Sequence, residues 1–291
     1  MNGRSSAESA DGGTATASTS AAMERRVLAG YIGVVFAAVA LTGATALNGD
    51  IIVLAGGTLV GFALGIGLGT AVYCRFPDLP TRLGRGRVQR AAPFFPIVPF
   101  GLVGLASVLG PVDTELGLVA AASTSGLLVA GYVLQGVAET RYAADRAHGR
   151  PIAACRWHPP RTPKIDALLL VAWPALGVLN AAGGNWLTAL GWGTLGLCWL
   201  VGGFIEGRFR VGETGTDPEI RIYENGLVKQ RPYTSRFVPW DEIDHVRLRD
   251  DELVFDRGLF DVRLDRESLD APETIIATVE QRLSDRTTTL P

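Results

Sequence analysis

The sequence predicts an α-helical membrane protein, six transmembrane helices arranged as three hairpins, followed by a C-terminal α+β or all-β cytoplasmic domain. Three observations predict it. Six long stretches contain no Asp, Glu, Lys, Arg or His. The loops between them alternate between free of Lys/Arg and rich in arginine. After Gly212 the long apolar runs give way to short segments of alternating character.

The uncharged stretches are 27–47, 51–73, 91–109, 116–138, 167–182 and 186–205. A bilayer core of about 30 Å takes roughly 20 helical residues, and 91–109 and 167–182 are the short ones. An Arg or Asp at the centre of a span costs about 2.5–3.5 kcal/mol, so the lack of charge fits lipid-facing helices. Met23-Glu-Arg-Arg before an apolar run and Ala44-Thr-Ala46 has the outline of a signal peptide. The run is longer than the roughly 7–15 residues of such segments and is read as the first span. Residues 1–22, rich in Ser, Thr, Ala and Gly, bury too little apolar area to offset ordering entropy and are expected to be a disordered tail.

The loops set the orientation. Connections 48–50, 110–115 and 183–185 hold no Lys or Arg, whereas 74–90 holds Arg75, Arg82, Arg85, Arg87 and Arg90, and 139–164 holds Arg141, Arg146, Arg150, Arg156, Arg161 and Lys164. Basic residues stay cytoplasmic, so a multi-pass protein of the cell membrane is expected, with both termini and both long loops inside. The net charge of −2 hides an asymmetry. From Gly212 onward there are 18 acids against 11 bases, −7; residues 1–211 have 11 acids and 16 bases, +5.

Arg75, Arg141 and Arg208 follow apolar stretches at spacings of 66 and 67 residues, and each precedes an aromatic residue, Phe76, Tyr142 or Phe209. The spacing suggests an internal repeat of one hairpin. The second and third copies share Glu139-x-Arg141 and Glu206-x-Arg208; the first has Tyr73 in place of the acid. Interface anchoring accounts for the pattern, with aromatics at headgroup depth and arginines snorkelling. A cytoplasmic gate or docking rim built on the Glu–Arg pairs is the functional alternative.

The second span carries Gly57, Gly61, Gly65 and Gly69, a packing face where small residues let helix backbones approach, within the chain or in a homo-oligomer. The two short spans hold Pro93, Pro96 and Pro99, and Pro174. Broken helices at matching places point to a solute path, but no ionisable residue lies mid-membrane, where coupling sites put one. Ser123, Thr124, Ser125, Gln135 and Asn180 are read as bonding within their own helices.

Cys74, Cys155 and Cys198 form no disulfide framework by this pattern. Cys155 and His158 lack the second pair a closed zinc site needs, and their proline- and arginine-rich loop is read as a solvated linker. No metal, cofactor or nucleic-acid partner is expected. No phosphate loop, paired-carboxylate spacing or nucleophile–base motif proposes an enzyme.

In the tail, strands are expected at 219–223, 227–231, 235–240, 243–249, 252–256 and 259–264, with Asn225-Gly226 as a two-residue hairpin turn. Asp270 caps a helix with Glu273 in the capping-box position, and residues 287–291 form a disordered end. Tyr223-Glu-Asn-Gly226-Leu227, Val238-Pro-Trp240-Asp-Glu-Ile243, Leu253-Val-Phe255 and Phe260-Asp-Val262-Arg-Leu264 resemble the prokaryotic pleckstrin-homology-like (PH-like) domains often fused to membrane helices. The resemblance covers about 213–286 of a domain set at 212–286 and implies a bent sheet closed by a helix. Trp240 and Phe255 are its expected core. With two lysines, 25 arginines and an acidic tail, the chain also resembles haloarchaeal membrane proteins.

At −7 the domain is poorly suited to anionic lipid, although Arg221, Lys229, Arg231 and Arg236 form a candidate contact patch. The expected function is a membrane-anchored interaction or assembly module, with a protein partner on the cytoplasmic domain. The alternative is a small-solute transporter or channel lined by the proline-containing spans 91–109 and 167–182.

Overall fold

The computed structural model describes residues 5–158, 162–243, 245–248, 252–256, 262–265, 269, 273, 277–279 and 281. Two compact units are present: residues 1–138 with 173–198, and residues 139–172 with 199–291.

Helices dominate the first unit. α1 (Ser5–Ala46) starts inside the Ser/Thr/Ala-rich leader expected to lack order, where alanine supplies strong helix propensity. α2 (Ile51–Arg75) begins at Asp50, whose carboxylate accepts from the Val53 N–H at 2.9 Å. Then come α3 (Leu79–Arg85), α4 (Arg87–Ala91) with a 3-10 turn over Ala92–Phe94, and α5 (Ile97–Leu109). α6 (Thr114–Arg146), α7 (Pro163–Ala182) and α8 (Trp186–Glu206) each pass from one unit into the other.

Five helices are long and apolar enough to cross a membrane, or six if Arg87–Phe94 and Ile97–Leu109, bent by 51°, count as one broken span. The break has a direct cause: Pro93, Pro96 and Pro99 remove backbone donors, and their rings clash with preceding carbonyls. The Tyr31 hydroxyl donates to the Pro93 carbonyl at 2.7 Å, satisfying an acceptor the break frees. Pro174 sits inside α7, which stays one continuous helix. The two proline-containing spans are therefore not alike.

Three rungs of the glycine ladder pack α2 on α1. A Cβ on Gly61 would lie 2.9 Å from the Phe36 carbonyl, one on Gly65 2.7 Å from the Gly33 Cα, and one on Gly69 2.6 Å from the Ala29 Cα. Gly57, the fourth, has nothing within 4 Å. Side-chain hydroxyls do bond their own helices, Thr124 to the Ala120 carbonyl and Ser125 to that of Ala121. Some also reach across: Ser125 meets Thr194 of α8, and Ser123 meets Thr42 of α1.

The sheets belong to the second unit. β1 (Ala153–Arg156), β2 (Glu219–Tyr223), β3 (Gly226–Gln230) and β4 (Ser235–Pro239) form an antiparallel sheet in that order. β5 (His245–Leu248), β6 (Glu252–Asp256) and β7 (Val262–Asp265) form a second one. Cys155, Trp157, Ile220, Leu227, Val238, Trp240, Phe255 and Val279 share one core. Trp240 is held further by its indole N–H, which donates to the Tyr223 carbonyl at 3.1 Å.

Two readings are corrected here. The loop taken for a solvated linker supplies β1, with Ala153 opposite Ile222 and Arg156 opposite Glu219, and buries Cys155 and Trp157. Burying an indole outweighs the polar bias of its flanks. The hairpin turn is Glu224-Asn225, because Tyr223 pairs with Gly226 inside the ladder. Gly226 is needed for close approach: a Cβ there would lie 2.5 Å from the Val238 carbonyl. The Asp270 cap lies outside the described residues; Glu273, 277–279 and Gln281 are helical.

Candidate functional site

The final turns of α6 and α8 and the β3–β4 turn come together in the second unit. α6 has 33 residues, about 50 Å at 1.5 Å per residue. Its uncharged part ends at Ala138, so the last two turns carry Glu139 to Arg146 beyond the apolar stretch. Tyr142 and Ala143 are buried there against Tyr223, Val228 and Phe237, with Tyr142 and Phe237 edge to face at 6.0 Å. The Thr140 hydroxyl accepts from the Ser235 N–H at 3.1 Å, and the Asn225 amide donates to the Arg146 carbonyl at 2.7 Å.

α8 offers a second anchor. It ends in a Schellman motif: the Arg208 N–H donates to the Gly203 carbonyl at 2.8 Å, the Gly207 N–H to that of Phe204 at 3.1 Å, and Gly207 has φ 80°. Thr234 donates its hydroxyl to the Ile205 carbonyl at 2.7 Å, and Phe204 faces Tyr233 at 6.1 Å. Pro232 packs on Gly207, where an added Cβ would lie 2.5 Å from the proline ring. Replacing Gly207 by Ala combines left-handed strain with that clash, and an expected loss of about 2 kcal/mol is measurable by thermal unfolding of the full chain.

Charge collects at this joint. Burial pushes the Arg231 guanidinium below its ordinary range and the neighbouring Arg236 adds to the effect, while Glu139 and Glu206 pull it back. Since arginine does not deprotonate in proteins, the direction measures a desolvation cost that the two carboxylates offset. Glu139 is only 9% exposed. Arg208 reaches Glu206 at 3.2 Å and Asp166 of α7 at 3.8 Å, and stacks over Trp199 and Phe209.

Two groups that the sequence treats separately thus meet. Glu139 and Glu206 of the hairpin motif stand with Arg231 and Arg236 of the tail patch. The other two patch members diverge. Arg221 pairs with Glu219 at 2.9 Å; burial lowers its guanidinium, but Glu219 and Tyr223 more than reverse this and hold it above its usual range. Lys229 lies over the Trp157 ring at 4.0 Å. Arg141 is exposed, and Arg75 lies over the exposed Phe76 ring at 5.6 Å.

The three aromatic residues after the repeated arginines differ: Phe76 is exposed, whereas Tyr142 packs on the sheet and Phe209 lies edge to face with Trp199 and Phe204. Asp166 and Glu24 are the acids that sequence reasoning missed. Glu24 is 4% exposed and accepts from the Tyr73 hydroxyl at 3.2 Å. In the first hairpin a tyrosine at the motif's acid position therefore binds a carboxylate from α1, and its need for a partner was the available signal. Among the described residues, no group of three or more His, Cys, Asp or Glu is placed to hold a metal. Comparison with protein-family models, curated proteins and solved structures gives no match, so function rests on this geometry alone.

Proposed function

We propose that the chain is a multi-pass protein of the cell membrane with both termini cytoplasmic, acting as an interaction and assembly module whose PH-like sheet domain packs on the ends of α6 and α8. The observation that carries this reading is the insertion of β1, drawn from the α6–α7 loop, into the sheet formed by the segment after α8. The α6–α7 loop and the segment after α8 therefore build one sheet together, so the domain is closed by strands from both sides of α7 and α8. A sheet pre-formed in this way suits a partner protein or a second copy of the chain, since pre-organisation lowers the entropic cost of binding.

The full chain is the right object for testing. A fragment starting at residue 213 omits β1 and with it Cys155 and Trp157 of the core. Photo-cross-linkers at the exposed positions Asp241 and Arg247 in native membranes are expected to give one discrete adduct, identified by mass spectrometry as another protein or a second copy. Unmodified monomer from both positions would overturn the assembly reading.

The 51° break between Arg87–Phe94 and Ile97–Leu109 favours a second reading, a small-solute transporter or channel. Saturable solute flux into vesicles, together with absence of any adduct, would establish it over the first.

A further inference from the structure

A cleft of about 180 Å³ opens in the second unit beside the end of β1 and the segment leaving α8, lined by Arg156, Trp157, His158, Arg210, Asp217 and Pro232, among others. It takes in the end of the Cys155–His158 run, whose outward-facing side chains the assembly reading leaves unused. Burial alternates along that run: Cys155 and Trp157 point into the core, Arg156 and His158 outward on one side.

The two described carboxylates beside Arg156 and Arg210 are already engaged. Asp217 pairs with Arg210 at 3.3 Å, and the same guanidinium donates to the Thr214 carbonyl at 3.1 Å, which fixes its position. Glu219, opposite Arg156 in the β1–β2 register, is held by Arg221 at 2.9 Å. Arg156 forms no ion pair among the described residues. Among the described residues that line it, the cleft therefore combines two guanidiniums and an imidazole with one carboxylate, that of Asp217.

We infer that this cleft binds a phosphate group, with Arg156 as the principal contact and Arg210 as a pre-positioned second charge. A planar guanidinium matches phosphate oxygens in pairs, and Arg210, fixed by Asp217, loses little freedom on binding. The domain's net charge of −7 opposes an anion at long range. Screening over about 10 Å at 0.1 M salt leaves the local balance in control. The phosphate has two candidate sources, an anionic phospholipid headgroup and a soluble phosphate ester. The headgroup source rests on the membrane reading above, under which the end of α8 lies at headgroup depth.

The test uses the full chain in nanodiscs of neutral phosphatidylcholine. Inorganic phosphate and glycerol phosphate are titrated while tryptophan fluorescence, which includes Trp157, and thermal unfolding are followed. A second set of nanodiscs contains phosphatidylglycerol. A saturable response that weakens at least tenfold in Arg156→Gln, but not in the control Arg247→Gln, is expected. Response to soluble phosphate in neutral discs assigns a soluble ester; response confined to phosphatidylglycerol discs assigns the headgroup. No saturable response in either arm, or one unchanged in Arg156→Gln, overturns the inference. Arg156 is exposed at a sheet edge, and unaltered circular dichroism checks that its variant folds. Failure of the membrane reading has a separate signature, a chain that stays in solution without lipid or detergent.

Discussion

Replacing Glu139 and Glu206 together by glutamine is expected to lower stability by about 2 kcal/mol, because both offset the desolvation of Arg231 through space while Glu206 is itself more than half exposed and screened. The double variant leaves Arg231 half-buried, with Arg236 beside it and neither of its two carboxylates. Damage should start at the joint. Amide exchange at Arg231–Ser235 should speed up, because the Thr140–Ser235 and Thr234–Ile205 hydrogen bonds depend on the turn staying seated. Adding Arg231→Met should restore much of the loss, since the isolated charge is then gone. Failure of that rescue, or unchanged exchange in the double variant, would show that the four charged groups do not act as a unit.

Gly65→Leu carries the second large expected effect. Gly65 sits where a Cβ would lie 2.6 Å from the Ile32 carbonyl and 2.7 Å from the Gly33 Cα. These are backbone atoms that cannot rotate away, so a leucine must part α1 from α2 along their length. A loss of about 3 kcal/mol is expected, at the upper end of the usual cost of overpacking. Gly57→Leu two ladder steps away should change stability by less than about 0.5 kcal/mol, because nothing lies within 4 Å of a Cβ added there. Unfolding of the two variants in mixed micelles compares them directly. Equal losses would place the packing face of the ladder elsewhere, against another copy of the chain.

The legible parts of the fold were those written locally. Ile220 and Ile222 alternate in β2, and Leu253-Val254-Phe255 marks β6; both strands fall where the pattern puts them. Spans free of charge became helices for the same reason, and the proline-rich third one broke at its prolines. β1 was hidden because Ala-Ala-Cys-Arg has neither alternation nor β-branched residues, and it pairs with residues almost seventy positions away. Glu139 and Arg231 lie 92 positions apart, and no periodicity links an acid at a helix end to an arginine at a strand end. Gly226 illustrates a different limit. Asn-Gly is a turn signal by composition, yet a bulky neighbour, Phe237, sets what the glycine does.

The stitched-in β1 also imposes an order of events during synthesis. Ala153 must wait for Ile222, 69 residues later, before its strand has a partner. At about 5–20 residues per second that is roughly 3–14 s. Throughout that interval the loop carries the apolar Cys155 and Trp157 without a sheet to cover them. α7 and α8 both emerge within the same interval, since Pro163–Glu206 lies between the two strands. Under the membrane reading proposed above, closing the sheet is conditional on the last two helices having turned back to the loop's own side. A chain in which β2 never reaches β1 keeps an uncovered tryptophan-bearing strand, so the burial of Trp157 marks the finished molecule.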